Sequence, residues 1–109
     1  MIDYTNEELR IIAKEIGHLI DSCCPIISQE TIDAVHSYSD YGEYEMAVEG
    51  LLIDIMQMIP FPKSIRINDC VELAQRCHLD KETVFTQDFW GKFTDFATQH
   101  GASVQLRKE

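Results

Sequence analysis

A chain of 109 residues, 45% hydrophobic and 26% charged, has the size and composition of one globular domain and excludes a disordered chain, which lacks the apolar side chains to offset ordering entropy. Nineteen acids against nine bases give a formal charge of −10, and the imbalance is local: residues 15 to 62 hold nine acids and no lysine or arginine. Direct nucleic-acid binding is disfavoured, because phosphate contacts need clustered bases.

The predicted elements are all helical. Thr5 followed by Glu8 reads as a capping box opening a helix whose stripe is Leu9, Ile12, Ala13, Ile16, Leu19 and Ile20, ending near Cys24 before Pro25. Ser28 is the next expected cap, for a short helix that turns Ile32 and Val35 inward and leaves Glu30 and Asp33 in water. Asp40 with Glu43 reads as the cap of a central helix from Glu43 to Ile59, with Tyr44, Ala47, Val48, Leu51, Leu52, Ile55, Met58 and Ile59 inward. Met46, Gly50 and Ile53 widen that stripe, and a glycine in a helix interior calls for a compensation such as close approach of another helix. Pro60 and Pro62 stop it.

Asn68 reads as the cap of a fourth helix through Cys77, with Cys70, Leu73, Ala74 and Cys77 inward. A fifth is expected from near Thr86, or from Lys81, to Gln99, with Phe89, Phe93 and Phe96 inward and Gly101 as its stop. The tail, residues 102 to 109, has little to bury. No alternating run or hairpin dipeptide points to a strand. The expected fold is one all-α, five-helix bundle-like domain over residues 1 to 109.

The opening MIDYTNEELR has no basic region of the kind that leads a secretion signal, and no apolar run nears the roughly 20 residues that span a bilayer. A cytoplasmic protein without a membrane partner is expected. There, Cys23, Cys24, Cys70 and Cys77 read as reduced core thiols. Cys70, Cys77 and His78 could be a metal site, but the spacing lacks the close cysteine pairs of zinc centres, and core packing is the preferred reading. Catalysis calls for a nucleophile with its base, a divided carboxylate pair or a cofactor motif. His18, His36, His78 and His100 are scattered and no such motif occurs, so neither an enzyme nor a cofactor is expected.

The distinctive segment is HSYSDYGEYEMAVEG, from His36 to Gly50, where Tyr38, Tyr41 and Tyr44 recur every three residues among Asp40, Glu43 and Glu45. In the plainer reading Tyr44 belongs to the core and the acids form a solvated face. Yet acids unrelieved by bases repel one another, and tyrosine is enriched at binding hot spots. The sharper reading is a partner-binding surface of Asp33, Tyr38, Asp40, Tyr41, Glu43, Tyr44, Glu45 and Glu49 that draws in a basic protein. Glu43 and Glu49 could alternatively cap and brace the central helix. The rival from another class is a helical adaptor that holds a partner helix in an apolar groove.

The run Tyr-Gly-Glu-Tyr-Glu-Met-Ala-Val-Glu-Gly-Leu at positions 41 to 51 resembles the MafI-type and contact-dependent growth inhibition (CdiI) immunity proteins of bacteria. Their Gly-Glu-x-x-x-Ala-x-Glu-x-Leu core is matched by Gly42, Glu43, Ala47, Glu49 and Leu51, and the likeness in helix order covers roughly residues 5 to 97. The resemblance implies a protein that neutralises a cognate toxin, generally a toxin's C-terminal domain and often a nuclease. An RNase that cuts tRNA is the leading expectation. A nuclease holds phosphates with basic residues, so an acidic inhibitor complements it without any chemistry of its own.

Overall fold

Thr5 and Glu8 form the expected box: the Glu8 N–H donates to Thr5 Oγ1 at 3.1 Å and the Thr5 N–H donates to Glu8 Oε1 at 2.8 Å. The computed structural model describes residues 4–23, 27–58, 61–81, 83, 85 and 87–101. Its elements are α1 (Asn6–Cys23), α2 (Gln29–Asp40), α3 (Tyr44–Met56), α4 (Ile67–Arg76) and α5 (Phe89–Gln99), with no strand among the described residues. The all-α expectation is met. The radius of gyration, 13.1 Å, is what a packed domain of this length should have.

α1 buries Ile12, Ile16, Leu19 and Ile20, while Ala13 lies outside the stripe and is exposed. Ser28 caps α2, its Oγ accepting the Thr31 N–H at 3.2 Å, and Val35 is buried as expected. The cap expected of Asp40 does not form, because Asp40 is the last residue of α2. Gly42 decides this. At φ +74° it takes the left-handed conformation that ends a helix, with Gly42 N–H donating to Ser39 O at 3.0 Å and Glu43 N–H to Tyr38 O at 2.8 Å. α3 therefore starts one residue beyond Glu43, whose side chain makes no capping bond.

α3 is central, as its stripe predicts: Ala47, Val48, Leu51, Leu52 and Ile55 are buried, and the helix packs against α1, α2 and α4. Tyr44 and Met58 are half-buried, and Ile59 lies outside the described residues. The expected close approach at Gly50 fails, since nothing stands within 4 Å of where its Cβ would be.

α4 begins at Ile67, so Asn68 lies within its first turn and Arg66 is the residue before it. Burial of Ile65 and Ile67 sets that register. Its end repeats the device at Gly42 with an unusual residue. His78, at φ +60°, sits in the glycine position, with its N–H on Gln75 O at 3.1 Å and the Leu79 N–H on Ala74 O at 3.0 Å.

α5 starts later than expected, at Phe89 after Asp88 at φ +56°, and Thr86 lies outside the described residues. A Cβ at Gly91 would meet Asp88 Oδ1 at 2.7 Å, so a larger residue there would make the exposed Asp88 side chain shift. Phe89 and Phe93 are buried and stack at 5.5 Å. Phe96 is only half-buried, against Phe61 and His100. Gly101, at φ +91°, ends α5, and the tail from 102 lies outside the described residues. Among the described residues no helix is long and apolar enough to cross a membrane.

Candidate partner-binding face

α2 and α3 run as a helical hairpin around the Tyr41–Gly42–Glu43 turn, and the acids sort themselves by helical spacing. Glu30, Asp33 and Asp40 fall on one exposed face of α2, a stripe roughly 15 Å long at 1.5 Å per residue. Glu43 continues it in the turn, exposed. Asp33 accepts a hydrogen bond from Gln29 Nε2 at 2.9 Å. Among the described residues, ion pairs form at Arg76, which meets Glu15 and Glu72, so none of these four acids is in an ion pair, and exposed His36 lies between Asp33 and Asp40 on the same face of α2. Arg76 Nε lies 3.0 Å from Glu15 Oε1 without the alignment of a hydrogen bond, and burial lifts the Glu15 carboxyl above its usual range against the pull of Arg76.

The three tyrosines separate. Tyr41 stands free, 81% exposed at the apex of the turn. Tyr38 is half-buried with its ring 5.8 Å from that of Phe85, and Tyr44 is half-buried with its edge toward Tyr4 at 6.4 Å.

Two acids predicted for the surface are engaged inside the fold instead. Glu49 is 0% exposed, and its Oε2 accepts the Phe85 N–H at 3.0 Å. Glu45 is half-buried and accepts the Tyr4 hydroxyl. Burial and that bond push the Tyr4 hydroxyl well above the usual tyrosine range. Beside it, burial drives the Cys77 thiol up to about 12, with Glu45 and Glu15 adding to the effect. A thiol held protonated is a poor nucleophile and a poor metal ligand. Cys70 and Cys77 are buried in the core, and among the described residues no group of three His, Cys, Asp or Glu is placed to hold a metal ion. The Cys23 side chain and all of Cys24 lie outside the described residues.

Of the eight residues predicted for the surface, the structure thus brings Asp33, Asp40, Tyr41 and Glu43 together in the open and leaves Tyr38 and Tyr44 at its margin. Comparison with protein-family models, with curated proteins and with solved structures found no match.

The sequence reading gives no location for an apolar groove. A cleft of about 240 Å³ runs between α2 and α3, walled by Ala34, Tyr38, Met46, Gly50, Ile53 and Phe85, with Glu30 and Thr31 at one end. Thr31 there donates its hydroxyl to Asp54. The signal for the cleft was present in YEMAVEGLLIDIM, which is apolar around more of its circumference than one packing face requires. Phe85, 45% exposed, carried no local signal.

Proposed function

We propose that this chain is a non-catalytic binding protein that covers a basic surface of a protein partner with α2 and the Tyr41 turn. The observation that carries the reading is the exposed run Glu30, Asp33, Asp40 and Glu43, in none of the ion pairs among the described residues, with Tyr41 projecting beside it. Unrelieved like charge costs the free protein self-repulsion and speeds the approach of an opposite charge.

The proposed partner is a basic toxin domain, a nuclease in the first instance, as the immunity-protein resemblance implies. The positions matched in that resemblance have structural roles in this chain. Gly42 makes the turn, Ala47 and Leu51 fill the core, and Glu49 holds the Phe85 segment, so the pattern describes how the hairpin is built. Asp40 and Tyr41, beside it, remain for contact.

The test is co-production with a basic toxin domain encoded beside this chain. Tyr41→Ala, and Asp40→Lys combined with Glu43→Lys, should each remove protection of cells while leaving the helical spectrum unchanged, with a loss of at least about 2 kcal/mol of binding. Glu45 is unsuitable for such a reversal because it holds Tyr4. Arg66→Glu is the control, since Arg66 is exposed and outside the stripe. An association rate indifferent to salt, or loss of protection in the control alone, rules the acidic face out.

A further inference from the structure

The acidic face leaves the apolar cleft of the same hairpin unexplained. We infer that the cleft between α2 and α3 receives an apolar side chain carried on a basic segment of the partner, with the acidic end of the cleft meeting the basic flank. The choice of partner rests on the acidic-face reading above; the existence of the cleft does not.

Gly50 is the first support. Glycine is unfavourable inside a helix relative to alanine, and here nothing within 4 Å of its Cβ position shows the chain's own packing requiring it. Its effect is to keep the floor of the cleft open. Second, the lip is fixed in advance: the buried Glu49 carboxylate holds the Phe85 N–H, and Phe85 lies against Tyr38 at 5.8 Å while remaining 45% exposed. An aromatic pair held over an apolar hollow loses little freedom on binding. Third, charge selects the occupant. Glu30 and Thr31 stand at one end of the cleft, Thr31 is hydrogen-bonded to Asp54 there, and no lysine or arginine occurs between residues 15 and 62, whereas Asp33 and Asp40 turn toward the other side of α2. Flanking arginine or lysine on the incoming segment is therefore complementary. A second copy of this chain brings the same acids face to face and is repelled.

The experiment uses three labelled synthetic helices of roughly 18 residues and follows their binding by fluorescence anisotropy at low and high salt. One alternates lysine with leucine at helical spacing, the second replaces each lysine by glutamate, and the third replaces each leucine by serine. The lysine and leucine helix should bind the wild-type chain, and Gly50→Leu, which fills the cleft, should weaken it about 30-fold or more. The serine helix should be weaker by a similar factor, and the glutamate helix should not bind. Backbone amide shifts in the wild-type complex should centre on Ala34, Met46, Gly50 and Ile53, a readout that stands even where Gly50→Leu folds poorly.

Failure of the lysine and leucine helix to bind, equal binding to Gly50→Leu, or shifts confined to another face each overturns the proposal. So does a wild-type dimer in sedimentation that Gly50→Leu dissociates, since the occupant is then a second copy. Equal binding of the leucine and serine helices, lost on charge reversal at Asp40 and Glu43, removes the cleft and keeps the acidic face. Binding that maps to the cleft, ignores salt and survives that reversal keeps the cleft and removes the acidic face.

Discussion

Replacing Glu49 by alanine takes away a carboxylate that is 0% exposed and that accepts the Phe85 N–H at 3.0 Å. Two losses follow. A hydrogen bond to a charged group contributes about 1.5 to 3 kcal/mol, and its backbone donor is left unpaired in a partly buried site. Truncating a fully buried side chain also leaves a void, which in large-to-alanine changes costs about 2 to 5 kcal/mol in total. The two are not additive, and about 3 to 5 kcal/mol is the expected destabilisation, a large share of the roughly 5 to 15 kcal/mol that holds a domain of this kind together. Glu49→Gln keeps the shape and an acceptor oxygen, so it should cost less than half as much. Urea unfolding followed by circular dichroism gives both values, and the slope with denaturant should stay at its wild-type value while the midpoint falls. Partner affinity, measured where each variant is folded, should fall for Glu49→Ala through the displaced Phe85 and much less for Glu49→Gln. A wild-type unfolding midpoint with abolished binding in Glu49→Ala refutes this account and returns the carboxylate to the surface.

Gly50→Ala should raise stability by up to about 1 kcal/mol, because helix propensity improves and the new Cβ meets nothing within 4 Å; a lower melting temperature shows a neighbour that the cleft does not contain. Leu51→Ala should cost about 2 to 5 kcal/mol at a position with no exposure, and an unchanged melting temperature contradicts the placement of α3. Alkaline pH should unfold the protein through Tyr4 and Cys77. Both folded-state values lie above the ordinary ones, so the fold favours the protonated forms. That contribution is complete below pH 9.0, the ordinary thiol value, and is lost as pH rises toward about 12 for Cys77. Melting temperatures should hold to about pH 9 and fall from there to pH 11, less steeply in Cys77→Ala; a flat profile contradicts the burial of both groups.

What was legible in the sequence was local. The Thr5 and Glu8 box and the Ser28 cap join a side chain to a backbone three residues away, so the residues themselves contain the whole interaction. Asp40 and Glu43 have the same spacing and failed because Gly42 between them ends the preceding helix, a signal that outranks a cap. Asn68 failed because the burial of Ile65 and Ile67 started α4 before it. Acidic side chains inside the fold were illegible for a different reason. Glu45 is drawn in by Tyr4, 41 positions away, and Glu49 by Phe85, 36 positions away, and helix periodicity has no access to either distance. Tyr41 was separable from Tyr38 and Tyr44 only once the turn was known to place it past the end of α2.

The same division bears on how the hairpin could serve partners of different shape. The residues that carry the family resemblance and the residues proposed for contact are almost disjoint: Gly42, Ala47, Glu49 and Leu51 hold the turn, the core and the Phe85 segment, whereas Asp33, Asp40 and Tyr41 touch little and face water. Substitutions at exposed positions away from caps and buried networks usually change stability by no more than about 0.5 kcal/mol, while the interior set costs several times that. Glu43 belongs to both sets, since its backbone closes α2 and its exposed carboxylate is free of a capping bond. On the proposed function, the contact residues at the apex of the hairpin can change without disturbing the scaffold beneath them.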